Sequence, residues 1–306
     1  MKIRIAKAAV VILAFVVAVA LSPSALAQSF KKVNVQHKAK MAQIASGSAS
    51  VWGLDTNGHP YMFKGSSFVQ EGTISLAQIA VGGGSVRQPD TVWALDSAGN
   101  IYQVHKSGTT YLFNQIPGSL ASIAVGIGYE DSCHPYEVWG LSPYVVGVNP
   151  GVGIWRFDFC KSNWDRIPGT LAGLVVGAGE VWGIDGNDSV FSYSPVRGIF
   201  FQLGAGLTQI SIGPSGAWGV DASGVLYKFD PVAGKFEETD NVSIFKQVQA
   251  GGDGAWVITA TDLRFLSPTF TIYDVYNLEC ASISAGSGGG VWAIDVTGQV
   301  YAFSTP

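Results

Sequence analysis

The stretch Val51-Trp52-Gly53-Leu54-Asp55 decides how this chain of 306 residues is organised, because close copies of it recur along nearly the whole length. The copies are Val92-Trp93-Ala94-Leu95-Asp96, Val138-Trp139-Gly140-Leu141, Val181-Trp182-Gly183-Ile184-Asp185, Ala217-Trp218-Gly219-Val220-Asp221, Ala255-Trp256-Val257-Ile258 and Val291-Trp292-Ala293-Ile294-Asp295. Successive tryptophans lie 36 to 46 residues apart. Self-similarity at such an interval indicates a repeat architecture in which each repeat is one supersecondary unit.

Other segments repeat in step with the tryptophan. An apolar-x-x-apolar-x-x-Gly segment precedes all seven copies, as at Met41, Ile44 and Gly47, and an aromatic residue follows nine positions after the tryptophan in six of them. Each unit therefore holds four short runs rich in β-branched and aromatic residues, separated by turn-forming residues, which is typical of strands and tight turns. Four strands in a repeat of about 40 residues indicate a β-propeller blade.

The repeats predict an all-β fold, a seven-bladed β-propeller of four-stranded antiparallel blades. The last repeat ends at Tyr301-Ala302-Phe303, which provides only three strands. Phe30-Lys31-Lys32-Val33 precedes the first repeat and resembles the fourth-strand segment Trp164-Asp165-Arg166-Ile167. We therefore expect an N-terminal strand to complete the last blade, which would close the ring and hide the sheet edges.

The first 27 residues have the pattern of a secretory signal peptide. Three basic residues precede an apolar run from Ala8 to Leu21, and Ala25-Leu26-Ala27 offers a cleavage site. We therefore expect a signal peptide at residues 1–27, a propeller domain at residues 28–306, and a secreted or periplasmic protein that does not span the membrane after cleavage. An uncleaved N-terminal anchor is the alternative interpretation.

Charge and motif content argue against several functional classes. The formal net charge is −4, and no basic block stands out, so nucleic acid is not an expected partner. The three cysteines and four histidines (His37, His59, His105 and His134) lack the spacing of metal ligands, so neither a metal nor a cofactor is expected. No two histidines share a repeat position, and no nucleophile or metalloprotease motif occurs, so we do not expect an enzyme.

The cysteines suggest one disulfide. Cys133 lies in the long loop between the first and second strands of the third repeat, and Cys160 follows the third strand of the same repeat. In a propeller blade these two connections lie on one rim, so a disulfide between Cys133 and Cys160 is geometrically possible. Cys280 stands where the other repeats carry Leu, Met or Phe, which predicts a buried apolar thiol.

Taken together, the Leu-x-x-Ile-x-x-Gly strand, the Val-Trp-Gly-Leu-Asp strand, the Asp-x-x-Gly turn and the Ile-Tyr strand resemble the tectonin repeat of the tectonin and tachylectin family of lectin propellers. The resemblance covers residues 30 to 306, although Ser142 and Thr259 stand where five copies have Asp. It implies a multivalent carbohydrate-binding protein that recognises surface glycans or lipopolysaccharide without catalysis. A non-catalytic envelope scaffold that binds a protein partner through a propeller face is the alternative.

The candidate ligand-binding residues are the repeated tryptophans and aspartates. They are Trp52, Trp93, Trp139, Trp182, Trp218, Trp256, Trp292, Asp55, Asp96, Asp185, Asp221 and Asp295. Each class also has a structural interpretation, because tryptophans can pack between blades and aspartates can hold their own turns. Insertions in the third repeat, with Tyr129, Tyr136, Tyr144 and Trp155, break the symmetry and predict either a single special site or a decoration.

Overall fold

The structure, a computed structural model, describes residues 29–83, 89–127, 132–143, 153–239, 243–252, 254–267, 269, 272–286 and 290–304. The expected signal peptide lies outside the described residues. Nearly all regular structure in the described part is β-strand, apart from one short 3-10 turn at Gln36–Lys38. No helix in this part of the chain has the length and apolar character needed to cross a membrane.

Five sheets each contain four antiparallel strands that follow chain order. The first is β6 (Gln78–Gly83), β7 (Asp90–Leu95), β8 (Ile101–Ser107) and β9 (Thr110–Ile116); the second is β10 (Ser122–Gly126), β11 (Glu137–Leu141), β12 (Gly153–Asp158) and β13 (Asn163–Thr170). The third is β14 (Gly173–Gly177), β15 (Glu180–Ile184), β16 (Ser189–Ser194) and β17 (Ile199–Ala205). The fourth is β18 (Leu207–Gly213), β19 (Gly216–Asp221), β20 (Leu226–Asp230) and β21 (Lys235–Glu238); the fifth is β22 (Gln247–Gly251), β23 (Gly254–Ile258), β24 (Leu263–Leu266) and β25 (Ile272–Tyr276).

The first and last repeats form one eight-stranded sheet of order β2-β3-β4-β5-β1-β28-β27-β26. Its strands are β1 (Ser29–Val35), β2 (Met41–Ser46), β3 (Val51–Asp55), β4 (Pro60–Phe63), β5 (Ser67–Gln70), β26 (Cys280–Ala285), β27 (Val291–Asp295) and β28 (Val300–Ser304). Strand β1 pairs antiparallel with β28, from Ser29 opposite Ser304 to Val33 opposite Val300. The N-terminal strand therefore completes the last repeat, as the sequence predicts.

The expected number of separate blades is wrong. The structure confirms an all-β propeller with four-stranded antiparallel blades, but it has five separate blades instead of seven, together with the eight-stranded sheet. The physical reason lies at the end of β1, where Asn34 and Val35 pair in parallel with Ser67 and Phe68 of β5. This short bridge merges the first repeat with the last.

The repeated glycines allow the innermost strands of neighbouring repeats to approach closely. A Cβ atom on Gly82 would lie 2.3 Å from the carbonyl oxygen of Val125, and one on Gly286 would lie 2.1 Å from that of Gly47. Contacts of this length exclude any side chain larger than hydrogen. At these two junctions the glycine that ends the apolar-x-x-apolar-x-x-Gly segment is therefore required for the close approach of the inner strands.

The core is divided into clusters that lie between neighbouring repeats. One cluster combines Trp93, Leu95 and Ile101 of the second repeat with Ile123 and Val138 of the third. The other junctions have clusters built from the same repeat positions. Burial of apolar surface therefore stabilises the junctions between repeats, which is typical of repeat proteins.

Candidate functional site

The seven repeated tryptophans are core residues. Their exposed fractions range from 0% at Trp93, Trp139 and Trp218 to 7% at Trp292. Trp52 packs on Tyr111 of the next repeat with ring centroids 4.8 Å apart, and Trp93 packs on Phe157 at 4.9 Å. These contacts are edge-to-face, which is a favourable geometry for aromatic pairs. The packing interpretation fits the geometry of all seven, whereas ligand binding by these tryptophans stays a prediction.

The same contact recurs around the ring. The remaining pairs are Trp139 with Tyr193, Trp182 with Phe229, Trp256 with Phe303 and Trp292 with Phe63, at centroid distances of 4.6 to 4.9 Å. In most repeats an aromatic residue follows the tryptophan by nine positions. The ring partner stands two residues after that aromatic position, except at Tyr111. Sequence reasoning identified the first aromatic and missed the second, although the second also recurs.

The five repeated aspartates hold their own turns. In each turn one carboxylate oxygen accepts the N–H groups two and four residues later, as Asp55 does from Asn57 at 2.9 Å and His59 at 2.8 Å. The equivalent bonds are present at Asp96, Asp185, Asp221 and Asp295. Such side-chain-to-backbone bonds are the usual reason for Asp in turns. Ligand binding by these aspartates also stays a prediction.

Three of the aspartates are also bonded to a tyrosine of the third strand. The hydroxyl groups of Tyr102, Tyr227 and Tyr301 donate to Asp96, Asp221 and Asp295 at 3.1, 3.4 and 3.2 Å. Burial raises the pKa of the Asp96 carboxyl, but hydrogen bonds from Asn100, Tyr102 and Ala98 outweigh burial, so its pKa lies below the ordinary value. These bonds connect the aspartate turn to the third strand of the same repeat.

A cleft lies between the third repeat and the second. Ser142 replaces the aspartate, and Trp155 replaces the tyrosine. This cavity, which we call the indole cleft, has a volume of about 370 Å³. Its lining residues are Ile101, Pro117, Gly118, Ser119, Leu120, Ser142, Trp155, Asn163 and Trp164.

Two indole rings dominate the indole cleft. Trp155 and Trp164 are both partly exposed, and the guanidinium of Arg166 lies 5.7 Å from the Trp155 ring. The Nε1 atom of Trp164 is buried and has no hydrogen-bond partner in the described part of the chain. Aromatic faces beside hydroxyl and amide groups, here those of Ser119 and Asn163, suit a ligand with one apolar face and several hydroxyl groups.

The other features of the third repeat stabilise its loops. Cys133 and Cys160 form a disulfide, as expected, and Cys280 is a free buried thiol. Asp158 lies beside the two cysteine sulfurs, but the disulfide leaves no thiolate there to bind a metal ion. The hydroxyl of Tyr136 donates to the carbonyl of Pro89 in the second repeat at 2.9 Å. Tyr129 and Tyr144 lie outside the described residues.

A buried ion pair also belongs to the third repeat. Glu137 and Arg156 are 1% and 8% exposed and are bonded through both glutamate oxygens, with the Arg156 Nε atom 2.8 Å from Oε2. The same carboxylate accepts the indole N–H of Trp139 at 2.5 Å. The guanidinium lies 5.6 Å from the Trp139 ring centre and 6.0 Å from that of Tyr193. The pair therefore connects β11 and β12 of the third repeat with β16 of the neighbouring repeat.

The central channel is neutral. Its cavity of about 460 Å³ is lined by one inner-strand segment from each repeat, such as Ile44–Gly47 and Ile283–Gly286. None of the described lining residues has an ionisable side chain. The channel can offer a ligand only backbone groups, serine hydroxyls and the amide of Gln249.

Comparisons with known proteins agree with this architecture. A family model described as Tectonin domain matches residues 40–191 and 174–305. No curated protein matches the chain. Among solved structures, YCF48 bound to D1 peptide is similar with a TM-score of 0.65 and 13% identity, over 90% of this chain and 97% of that chain.

Two further structures show the same fold. Prp20p from Saccharomyces cerevisiae, described with its binding properties to Gsp1p and histones, has a TM-score of 0.57 and 11% identity over 87% of this chain and 83% of that one. The WD40 beta propeller domain of Doa1 has a TM-score of 0.59 and 12% identity over 88% of this chain and 94% of that one. At these identities the likeness concerns the fold alone.

Proposed function

Because the chain belongs to the Tectonin domain family, we propose that it is a secreted or periplasmic carbohydrate-binding protein that recognises surface glycans or lipopolysaccharide without catalysis. The single observation that carries the proposal is the indole cleft, in which two partly exposed tryptophans face a small cavity. Stacking of an indole on the apolar face of a sugar ring, with hydroxyl and amide groups at the edges, is the expected mode of binding.

The indole cleft lies at one junction, between the second and third repeats. The proposal is therefore for one principal site, in place of the equivalent sites that the repeated tryptophans predict. Gly118, with a φ of 123°, borders the cleft, and a Cβ there would lie 3.5 and 3.6 Å from two atoms of the Trp164 ring. A side chain at this position would fill the space that a sugar ring needs.

A glycan-array screen tests the proposal. Residues 28–306 are applied together with the variants Trp155→Ala and Phe191→Ala. Phe191 occupies the same repeat position as Trp155 in the fourth repeat and lies outside the indole cleft, so it is the matched control. We expect selective binding of one saccharide class by the wild type and by Phe191→Ala. Binding by Trp155→Ala should be at least about fivefold weaker, because a stacked aromatic contributes roughly 1 kcal/mol or more.

Circular dichroism of all three proteins separates loss of the site from loss of the fold. Trp155 is partly exposed, so its removal should leave the spectrum unchanged. If the folded wild-type protein binds no saccharide on a broad array, the proposal is contradicted. Equal binding by wild type and Trp155→Ala would show that the binding site lies outside the indole cleft.

A protein-binding scaffold is the second candidate, favoured by exposed apolar residues on two neighbouring blades. Val196 and Val232 are each 95% exposed at the turns between third and fourth strands, and Ile199 and Phe201 of β17 are 39% and 40% exposed. Large exposed apolar side chains that lie close together often mark an interaction surface. The peptide bound to YCF48 gives one precedent for a partner on this fold.

An envelope pull-down tests this second candidate. Wild type and Phe201→Ser serve as baits, because Phe201 is exposed and the substitution should leave the fold intact. A partner captured by wild type and at least about tenfold less by Phe201→Ser would support the scaffold. Equal capture by both baits would contradict a role for this surface.

Export is also a proposal. The disulfide between Cys133 and Cys160 is typical of an oxidising compartment, and residues 1–27 have the pattern of a signal peptide. N-terminal sequencing of the protein from cell fractions should find Gln28 as the first residue. An intact N-terminus would contradict cleavage at this position.

A further inference from the structure

Glutamine side chains link the innermost strands of neighbouring repeats. Gln43 accepts the N–H of Ile79 at 2.9 Å and donates to the carbonyl of the same residue at 3.3 Å. Gln78 makes the same two bonds to Ile123, both at 3.0 Å. One primary carboxamide thus bonds to both the N–H and the C=O of one residue. These two groups lie on the edge of an innermost strand that faces away from the sheet to which the strand belongs. We call this arrangement an amide clamp.

A partial clamp is present further along the ring. The Oε1 atom of Gln209 accepts the N–H of Val248 at 3.1 Å. All three glutamines occupy the same register, since Gln43, Gln78 and Gln209 lie opposite Leu54, Leu95 and Val220 of the second strand. Gln247 has the same register, opposite Ile258, but no bond from it to Ile283 is present among the described residues. The clamp is therefore formed by some of the glutamines in this register.

The fourth repeat has glycine at this position. Gly173 lies opposite Ile184 in the equivalent register, so β14 has no amide side chain at this position. The residue of β18 that corresponds to Ile79 is Ile210. Alternation along an antiparallel ladder directs its N–H and C=O away from β19. Among the bonds of the described residues, none from a side chain reaches these two groups.

A cleft opens where the clamp is missing. It has a volume of about 410 Å³ and includes Gly173, Leu174, Ile210 and Ile212 in its lining. A Cβ atom on Gly173 would meet nothing within 4 Å. Leu174 is partly exposed, whereas the equivalent residues of the six other repeats are at most 7% exposed. We call this cavity the amide cleft.

We propose that the amide cleft binds the side chain of a glutamine from a partner polypeptide, whose carboxamide takes the place at Ile210 that Gln43 takes at Ile79. A primary carboxamide has an N–H donor and a carbonyl acceptor on the same edge. A carboxylate has no donor, and a trans secondary amide has its N–H and C=O on opposite sides. None of the described lining residues is ionisable, so the cleft favours a neutral group.

The walls of the cleft match the rest of such a side chain. Leu174 and Ile212 provide apolar surface for the two methylene groups of glutamine. We choose glutamine because it is the residue that forms the internal clamps. This site lies at a different junction from the indole cleft, so it does not depend on glycan binding.

Binding of a small probe tests the proposal. The probe is N-acetyl-glutamine N-methylamide, and its analogue carries two methyl groups on the side-chain nitrogen, which removes both donors. Protein amide signals are followed by NMR with up to roughly 50 mM probe, because two hydrogen bonds and two methylenes support only about millimolar affinity. We expect the probe to shift signals of β14 and β18, and the analogue to bind at least about tenfold more weakly.

Two variants at one position provide the control. Gly173→Gln supplies an internal clamp, so it should block the probe and melt at or above the wild-type temperature. Gly173→Ala adds only a methyl group in open space and should bind the probe like the wild type. The proposal is overturned by absence of binding, by equal binding of probe and analogue, by unchanged binding to Gly173→Gln, or by a lower melting temperature of that variant.

Discussion

The buried ion pair of the third repeat allows a sharp test of how the repeats are held together. Glu137 is 1% exposed and accepts hydrogen bonds from both Arg156 and Trp139. Glu137→Gln keeps the shape but removes the charge, so the guanidinium of Arg156 stays buried without a counter-charge. Removal of one partner from such a pair costs about 3–5 kcal/mol of the free energy of unfolding.

The fourth repeat offers a matched control. Glu180 also accepts the indole N–H of its tryptophan, Trp182, at 2.7 Å, but it is exposed, and no arginine of the described residues pairs with it. Glu180→Gln should therefore cost only about 0.5–1.5 kcal/mol, the usual contribution of one hydrogen bond. The expected difference between the two variants is at least about 1.5 kcal/mol.

Urea unfolding, followed by both circular dichroism and tryptophan fluorescence, measures these free energies. Coincidence of the two signals is needed, because repeat proteins can lose cooperativity. Combining Glu137→Gln with Arg156→Met should restore at least about 2 kcal/mol, since no buried charge then remains. If Glu137→Gln and Glu180→Gln agree within about 0.5 kcal/mol, the assigned role of the ion pair is refuted.

Three further changes have definite expected outcomes. Serine at both Cys133 and Cys160 should lower the free energy of unfolding by about 3.6 kcal/mol in denaturant titrations, since the disulfide closes a 27-residue separation; a loss below about 1 kcal/mol would contradict the entropic account. Gly82→Ala places a Cβ 2.3 Å from the Val125 oxygen and should cost about 1–3 kcal/mol, so an unchanged melting temperature would show that the inner strands can separate. Asp96 has a lowered folded-state pKa, so it contributes stability above its unfolded pKa that is lost as the pH falls through the folded value. Asp96→Asn should therefore flatten the fall in melting temperature below about pH 5, and an unchanged profile would contradict this assignment.

Much of the fold could be predicted because the signals are local and repeated. The tryptophan strand, the aspartate turn and the closing N-terminal strand each depend on a few adjacent residues, and seven copies make the pattern clear. The disulfide followed from placing Cys133 and Cys160 on one rim. The merged sheet could not be predicted, because the bridge from Asn34 and Val35 to β5 consists of only two residue pairs and has no counterpart in the other repeats.

The candidate sites were harder to predict because they occur where the sequence departs from the repeat pattern. The indole cleft includes Trp155 and Ser142, which replace a tyrosine and an aspartate, and it is completed by residues of the second repeat such as Ile101 and Leu120. The glutamines of the amide clamp were visible as a recurrent residue before Ile44, Ile79 and Ile210. A polar residue on an inner strand has no evident partner until the neighbouring strand is placed beside it.

The pairing of β1 with β28 also determines the order in which the molecule can be assembled. Phe30 is among the first described residues to be synthesised, and its partner Phe303 is among the last. The hydrogen bonds between β1 and β28 therefore stay unmade while every other repeat can already form from sequence neighbours. Contacts that are so distant along the chain form slowly. The final repeat thus closes the ring. Until this repeat has been synthesised, the growing chain exposes an unpaired strand edge to chaperones and to other nascent chains.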